Sequence, residues 1–190
     1  LNAQQLGDTS FKPKNQIRTF SGIESPIVLL DEAHHNFHTM DGRYQPFVSI
    51  LKSDGYSVQP NKKLFTAKGL AHTNILVISN ALNVQNVKNW SLPNYSAFSN
   101  EEVEAVYLWV KEGGSLFLIA DHMPFPKAAE NMAAIFGFQF NNGYAKDLNN
   151  KAQLFETSKG TLADHPILKG TGVKKEIKTV PLEYEGKKKQ

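Results

Sequence analysis

Three short apolar runs, each broken off by polar residues, constrain this chain more than any other feature. Ile27-Val28-Leu29-Leu30 stops at Asp31-Glu32, Ile75-Leu76-Val77-Ile78 at Ser79-Asn80, and Leu116-Phe117-Leu118-Ile119-Ala120 at Asp121-His122. Unalternated runs of this kind suit strands buried on both faces of a parallel sheet, which needs crossover helices between them. The intervals supply such helices. Tyr44 to Asp54 sets Phe47, Val48, Ile50 and Leu51 at helical spacing ahead of Gly55. Ser99-Asn100-Glu101-Glu102 has capping-box spacing, and Val103, Val106, Tyr107 and Val110 carry a helix to Lys111 before Gly113-Gly114 stops it. Pro126 opens a third helix through Phe136, with Gly137 as its stop. Tyr56-Ser57-Val58 predicts a brief strand, Phe138-Gln139-Phe140 another, and the alternation from Val173 to Val180 an edge strand. Right-handed crossovers then give an α/β fold: a mainly parallel, flavodoxin-like sheet with helices on both faces.

With 190 residues, 41% of them apolar, the chain suffices for one sizeable core. The expected organisation is an N-terminal arm over residues 1–25, a single α/β domain over 26–180 and a basic tail over 181–190. The stretch from Ala81 to Phe98 reads as a long surface loop. The net charge of +3 owes much to Lys187, Lys188 and Lys189, and no basic stripe interleaved with aromatics exists, so nucleic acid is not an expected partner. Absence of cysteine removes disulfides, thiolate nucleophiles and cysteine-bound metal. No stretch reaches the roughly 20 apolar residues of a membrane span. The polar start Leu1-Asn2-Ala3-Gln4-Gln5 fits a mature chain whose export signal has been removed, and equally a trimmed one; the expectation taken is a periplasmic or extracellular protein.

Ligands of open parallel sheets lie outside the carboxyl ends of the strands, which selects the three polar tips. The first is the densest, because Asp31 to His38 holds two carboxylates and three of the six histidines. Imidazole and carboxylate together suit a divalent metal, zinc first, with Asp31, His34, His35 and His38 as candidate ligands. In a helical turn His34 and His38 would share a face; in an extended loop His34 and Asn36 would. The alternative is a set of polar residues that cap the strand and order the loop, with one histidine buried and satisfied. Glu32, Asp121 and His122 are candidates for catalysis, His122 as base or ligand and Asp121 to orient an imidazole or bind metal directly. Asp121 would serve equally as a helix-entry residue. A second pair, Asp164-His165, either folds over the same rim or forms a turn with Pro166. His72 precedes a strand, at the opposite end of the sheet. Ser79 lacks the glycines of a nucleophile elbow, and Gly113-Gly114 precedes a strand, the wrong side for cradling phosphate.

The tip motif from Leu29 to Asn36, the run from Val110 to His122 and the stretch Ala133-Ala134-Ile135-Phe136-Gly137-Phe138 together resemble bacterial domains of the class I glutamine amidotransferase-like superfamily, in a branch frequent among exported proteins. The resemblance covers about residues 26–145 and implies a flavodoxin-like sheet. Working amidotransferases of that superfamily use a cysteine on a strand-to-helix elbow, with a histidine and a glutamate. Here the comparable strand ends in Asp121-His122 and no cysteine exists, so the resemblance carries the fold and not glutamine hydrolysis. Two functions remain as expectations. One is a metal-assisted hydrolase of a small polar or carbohydrate-derived substrate. The other is a noncatalytic ligand-binding or scaffolding domain.

Overall fold

The apolar runs pair side by side. In a computed structural model, which describes residues 7–13, 18–21, 25–144 and 155–169, they form an all-parallel sheet of four strands. The strands are β1 (Ile27–Asp31), β2 (Ser57–Asn61), β3 (Ile75–Ser79) and β4 (Ser115–Ile119), in the order β2-β1-β3-β4. That is the flavodoxin-like order, with β1 and β3 in the middle. Register brings the tips level: Asp31 lies opposite Asn61, and Ser79 opposite Ile119.

Alternation along each strand then builds two cores. Leu76 and Ile78 of β3, with Leu29, Leu116 and Leu118, face α2 (Ala67–Leu70), α3 (Asn100–Lys111) and α4 (Phe125–Ala134) through Leu70, Val106, Trp109 and Met132. Val28, Leu30 and Val77 face the other way, onto Val48, Phe47 and Leu51 of α1 (Gln45–Ser53). Helices thus cover both faces of the sheet. Phe117, on the α1 side of the edge strand β4, is 51% exposed.

Helix ends follow the sequence signals. The Ser99 hydroxyl accepts from Glu102 N at 3.2 Å while the Glu102 carboxylate accepts from Ser99 N at 3.1 Å, so the capping box is formed. Gly55 and Gly113 take the left-handed backbone that stops α1 and α3. Thr66 caps the short α2, which the sequence reading passed over, by accepting from Gly69 N.

Two local expectations need correction. Phe138 to Phe140 is not a strand: Phe138 N donates back to Ala133 O across Gly137 at φ 83°, so the chain here closes α4. The stretch 81–98 is not a plain surface loop. It turns through a 3-10 segment at Val84–Asn86 and buries Ala81, Leu82, Asn86, Asn94 and Phe98, the asparagines serving as internal props. Asn86 Nδ2 donates to the carbonyls of Asn89 and Pro93, and its Oδ1 accepts from Tyr95 N. Within the arm over 1–25, Thr19 and Phe20 bond to Asp54.

The chain divides into two compact units, Leu1–Tyr144 and Ala145–Gln190, a boundary inside the 26–180 span read as one domain. The described part of the second unit holds a 3-10 turn at Thr157–Lys159 and a short helix, α5 (Pro166–Lys169). The strand expected over 173–180 and the tail over 181–190 lie outside the described residues.

Candidate functional site

The tip of β1 delivers Asp31 into the interior, where it is 0% exposed. Its Oδ2 accepts from His34 Nδ1 at 2.8 Å and Asn36 Nδ2 at 2.9 Å; its Oδ1 accepts from Ala33 N at 3.2 Å and Asn61 Nδ2 at 3.3 Å. The opposite ring nitrogen, His34 Nε2, meets Glu102 Oε1 at 2.8 Å, an oxygen that also accepts from Phe65 N at 3.0 Å. Phe65 and Phe98 pack against the imidazole with ring centroids 4.8 and 4.7 Å away. Burial disfavours a charged ring, yet the hydrogen bonds and charges of Asp31 and then Glu102 outweigh it and raise the His34 pKa. Glu102 is held below its usual range: burial pushes upward, but the Ser99 and Phe65 N–H groups and His34 pull harder downward. His34 is thus clamped between two carboxyl groups, each 2.8 Å from a ring nitrogen, an arrangement that favours the protonated ring.

The next residues spread apart. His35 is exposed, with a left-handed backbone at φ 48°. Glu32 Oε1 accepts from Met40 N at 2.7 Å and orders the loop. His38 is buried beneath the β3 tip, where its Nδ1 lies 3.0 Å from Ser79 Oγ and its ring stacks on Tyr44 at 4.5 Å. Ser79 Oγ also bonds Tyr44 Oη at 2.9 Å, so the serine hydroxyl bridges His38 and Tyr44. Burial lowers the His38 pKa; the Asp121 charge opposes this and Arg43 adds to it. Ser79 is 0% exposed, its hydroxyl enclosed between the His38 and Tyr44 rings.

Asn80 joins the tips. Its O accepts from Phe37 N, its N donates to Ile119 O, and its Oδ1 accepts from Asp121 N at 3.2 Å. It does so in a left-handed backbone at φ 48° while 1% exposed, and its Nδ2 has no acceptor. A buried donor without a partner calls for a water or a ligand oxygen. Beside it, His122 donates from Nδ1 to Met123 O at 2.7 Å, stacks on Tyr144 at 4.9 Å and lies near Trp90 and Phe125. Asp121 accepts from His122 N at 2.7 Å, with the His122 Nε2 3.9 Å from the same oxygen. Arg43 lies over the Phe37 ring at 3.9 Å, with its Nε buried and unpartnered.

Of the residues expected as metal ligands, Asp31 and His34 therefore lie together in a closed clamp, His35 lies outside it, and His38 is tied to Ser79. Among the described residues no three of His, Asp and Glu converge as a metal-holding group. Asp121 and His122 do meet at the β4 tip, and Asp121 acts electrostatically on His38. Asp164 and His165 belong to the second unit, just before α5, and His72 is exposed ahead of β3. Sequence reasoning placed Glu102 in its capping box but missed its second oxygen's partner across the core. It also missed Tyr44, Arg43 and Trp90, which lie in segments without a tip signature. Compared with known proteins, the chain matches no family model, and no curated protein matches it.

Proposed function

We propose that the unit ending at Tyr144 is a noncatalytic binding domain that takes a small polar ligand at the tips of β1, β3 and β4. One observation carries this reading: Asn80, at the centre of the tips, is buried in a left-handed backbone with an amide donor that has no acceptor. A ligand oxygen would complete it, with Asp121, His122 and Arg43 as neighbouring polar contacts. The bonding of His34 to two buried carboxylates and the enclosure of Ser79 between His38 and Tyr44 support binding over chemistry, because both groups already serve the fold. On this reading the amidotransferase-like sheet is retained without its nucleophile. A metal-assisted hydrolase is the second reading, favoured by a buried His38 that feels the Asp121 charge from the neighbouring strand tip.

Ligand-observed NMR with succinate, malate and pyroglutamate, repeated on Asn80→Gly, tests the first reading; glycine accepts the left-handed backbone but gives up the bond to Asp121 N, so circular dichroism and melting of the variant are measured alongside. Binding of at least one probe at about 1 mM or tighter, lost in the variant, is expected. No binding to any probe, or equal binding to the variant, overturns it. One tightly held zinc, manganese or iron ion per chain, lost in His38→Ala, shifts the assignment to the hydrolase.

A further inference from the structure

A second concavity, which shares no residue with the strand tips, opens between the loop before α3, the outer face of α4 and the segment after it, with a volume of about 740 Å³. That size lies within the usual range of ligand pockets. Its walls carry four side-chain amides, those of Asn94, Gln139, Asn141 and Asn142.

Two of the amides are built into a relay. Asn94 Nδ2 donates to the carbonyls of Trp90 and Ser91 at 3.2 and 3.1 Å, which fixes Asn94 Oδ1 to accept from Asn142 Nδ2 at 2.9 Å. Asn142 is thereby oriented, and its Oδ1 is buried with no donor. The relay ends on an acceptor that asks for an O–H or N–H from outside. Gln139 and Asn141 are exposed beside it and offer both donors and acceptors.

Charge narrows the class. The two ionic groups in the wall, Lys127 and Glu130, pair with each other, so neither an anion nor a cation meets an unmatched partner. Apolar surface is present too, since Leu92 is 69% exposed and Phe140 is half-buried. We infer that this amide-lined groove binds a neutral saccharide: vicinal hydroxyls donate to Asn142 Oδ1 and exchange paired bonds with Gln139 and Asn141, while a ring's C–H face rests on Leu92 and Phe140. A peptide could also bond to amides, but the donor-hungry acceptor beside apolar carbons matches a hydroxyl-bearing ring more closely than an extended backbone.

Isothermal titration of the whole chain with maltotriose, cellotriose and tri-N-acetylchitotriose tests this, with an acetylated tetra-alanine amide in parallel. The expected result is a dissociation constant of about 1 mM or tighter for one saccharide. It should weaken at least about ten-fold, or 1.4 kcal/mol, in the double variant Gln139→Ala/Asn141→Ala, whose side chains make no hydrogen bond among the described residues. Asn80→Gly should leave it unchanged, which separates this groove from the strand-tip site. Absence of saccharide binding, equal binding in the double variant, loss in Asn80→Gly, or preference for the peptide each overturns the inference.

Discussion

His34 Nε2 lies 2.8 Å from Glu102 Oε1, across 68 residues of sequence, and the contact ties the loop after β1 to the first turn of α3. Glu102 also accepts from Phe65 N and Ser99 N, so one buried carboxylate joins three segments. Its removal leaves His34 Nε2 and the buried Phe65 N–H without their acceptor and takes one bond from the Ser99 N–H at the helix start. Glu102→Ala is expected to destabilise the unit by about 3 kcal/mol or more, since it breaks a buried pair and a helix cap together. Urea denaturation checks the value. Glu102→Gln should lose less, because the amide oxygen still accepts.

The same clamp sets a pH dependence. His34 has a raised pKa, so its contribution is complete below the ordinary histidine value of 6.5 and is lost as pH climbs through the raised one. Glu102 has a lowered pKa, so its contribution is complete above the ordinary 4.5 and is lost as pH falls through the lowered one. His38, lowered by burial, favours the unfolded chain once the pH drops below its ordinary 6.5. The difference in urea midpoint between the parent and His34→Gln should therefore shrink steadily on the alkaline side. A difference that stays constant up to pH 9 would contradict the clamp.

How far the sequence carried can be judged from these residues. The strands were legible because runs such as Ile75 to Ile78 lack polar alternation, and α3 because Ser99 and Glu102 stand at capping distance. The site was legible only as a place. Asp31 and His34 lie close along the chain, so their meeting followed from local spacing, whereas Glu102 joins them through the stacking of α3 on the sheet. No local pattern encodes that contact. Nor does anything in Asn86 or Asn94 announce that their amides prop a loop from within, since asparagine in a polar stretch reads as solvent-facing.

Gly114 precedes β4 with the Trp109 ring against it; an added methyl would sit 2.2 Å from the nearest ring atom. Trp109 is held in turn by its Nε1 bond to Thr73 O at 3.2 Å. Gly114→Ala should cost about 1–3 kcal/mol through overpacking, visible as a lower melting temperature with a perturbed tryptophan fluorescence spectrum.

The turn after α1 holds the start of the chain. Asp54 Oδ1 accepts from Thr19 N at 2.9 Å and Thr19 Oγ1 at 3.0 Å, and Gly55 leaves room for Phe20 O. Asp54→Ala is expected to destabilise by about 1 kcal/mol and to speed proteolysis around Arg18. Cleavage unchanged from the parent would show that the Phe20 N–H bond to the residue 54 carbonyl and the aromatic contact of Phe20 with Tyr56 suffice to hold the segment.

Because His34 lies sealed between Asp31, Glu102 and two phenylalanine rings, neither of its N–H groups faces solvent while the fold is intact. Isotope exchange at that ring must wait for the strand tip and α3 to part. The imidazole is thus a built-in clock whose rate reports how often the centre of this unit comes open.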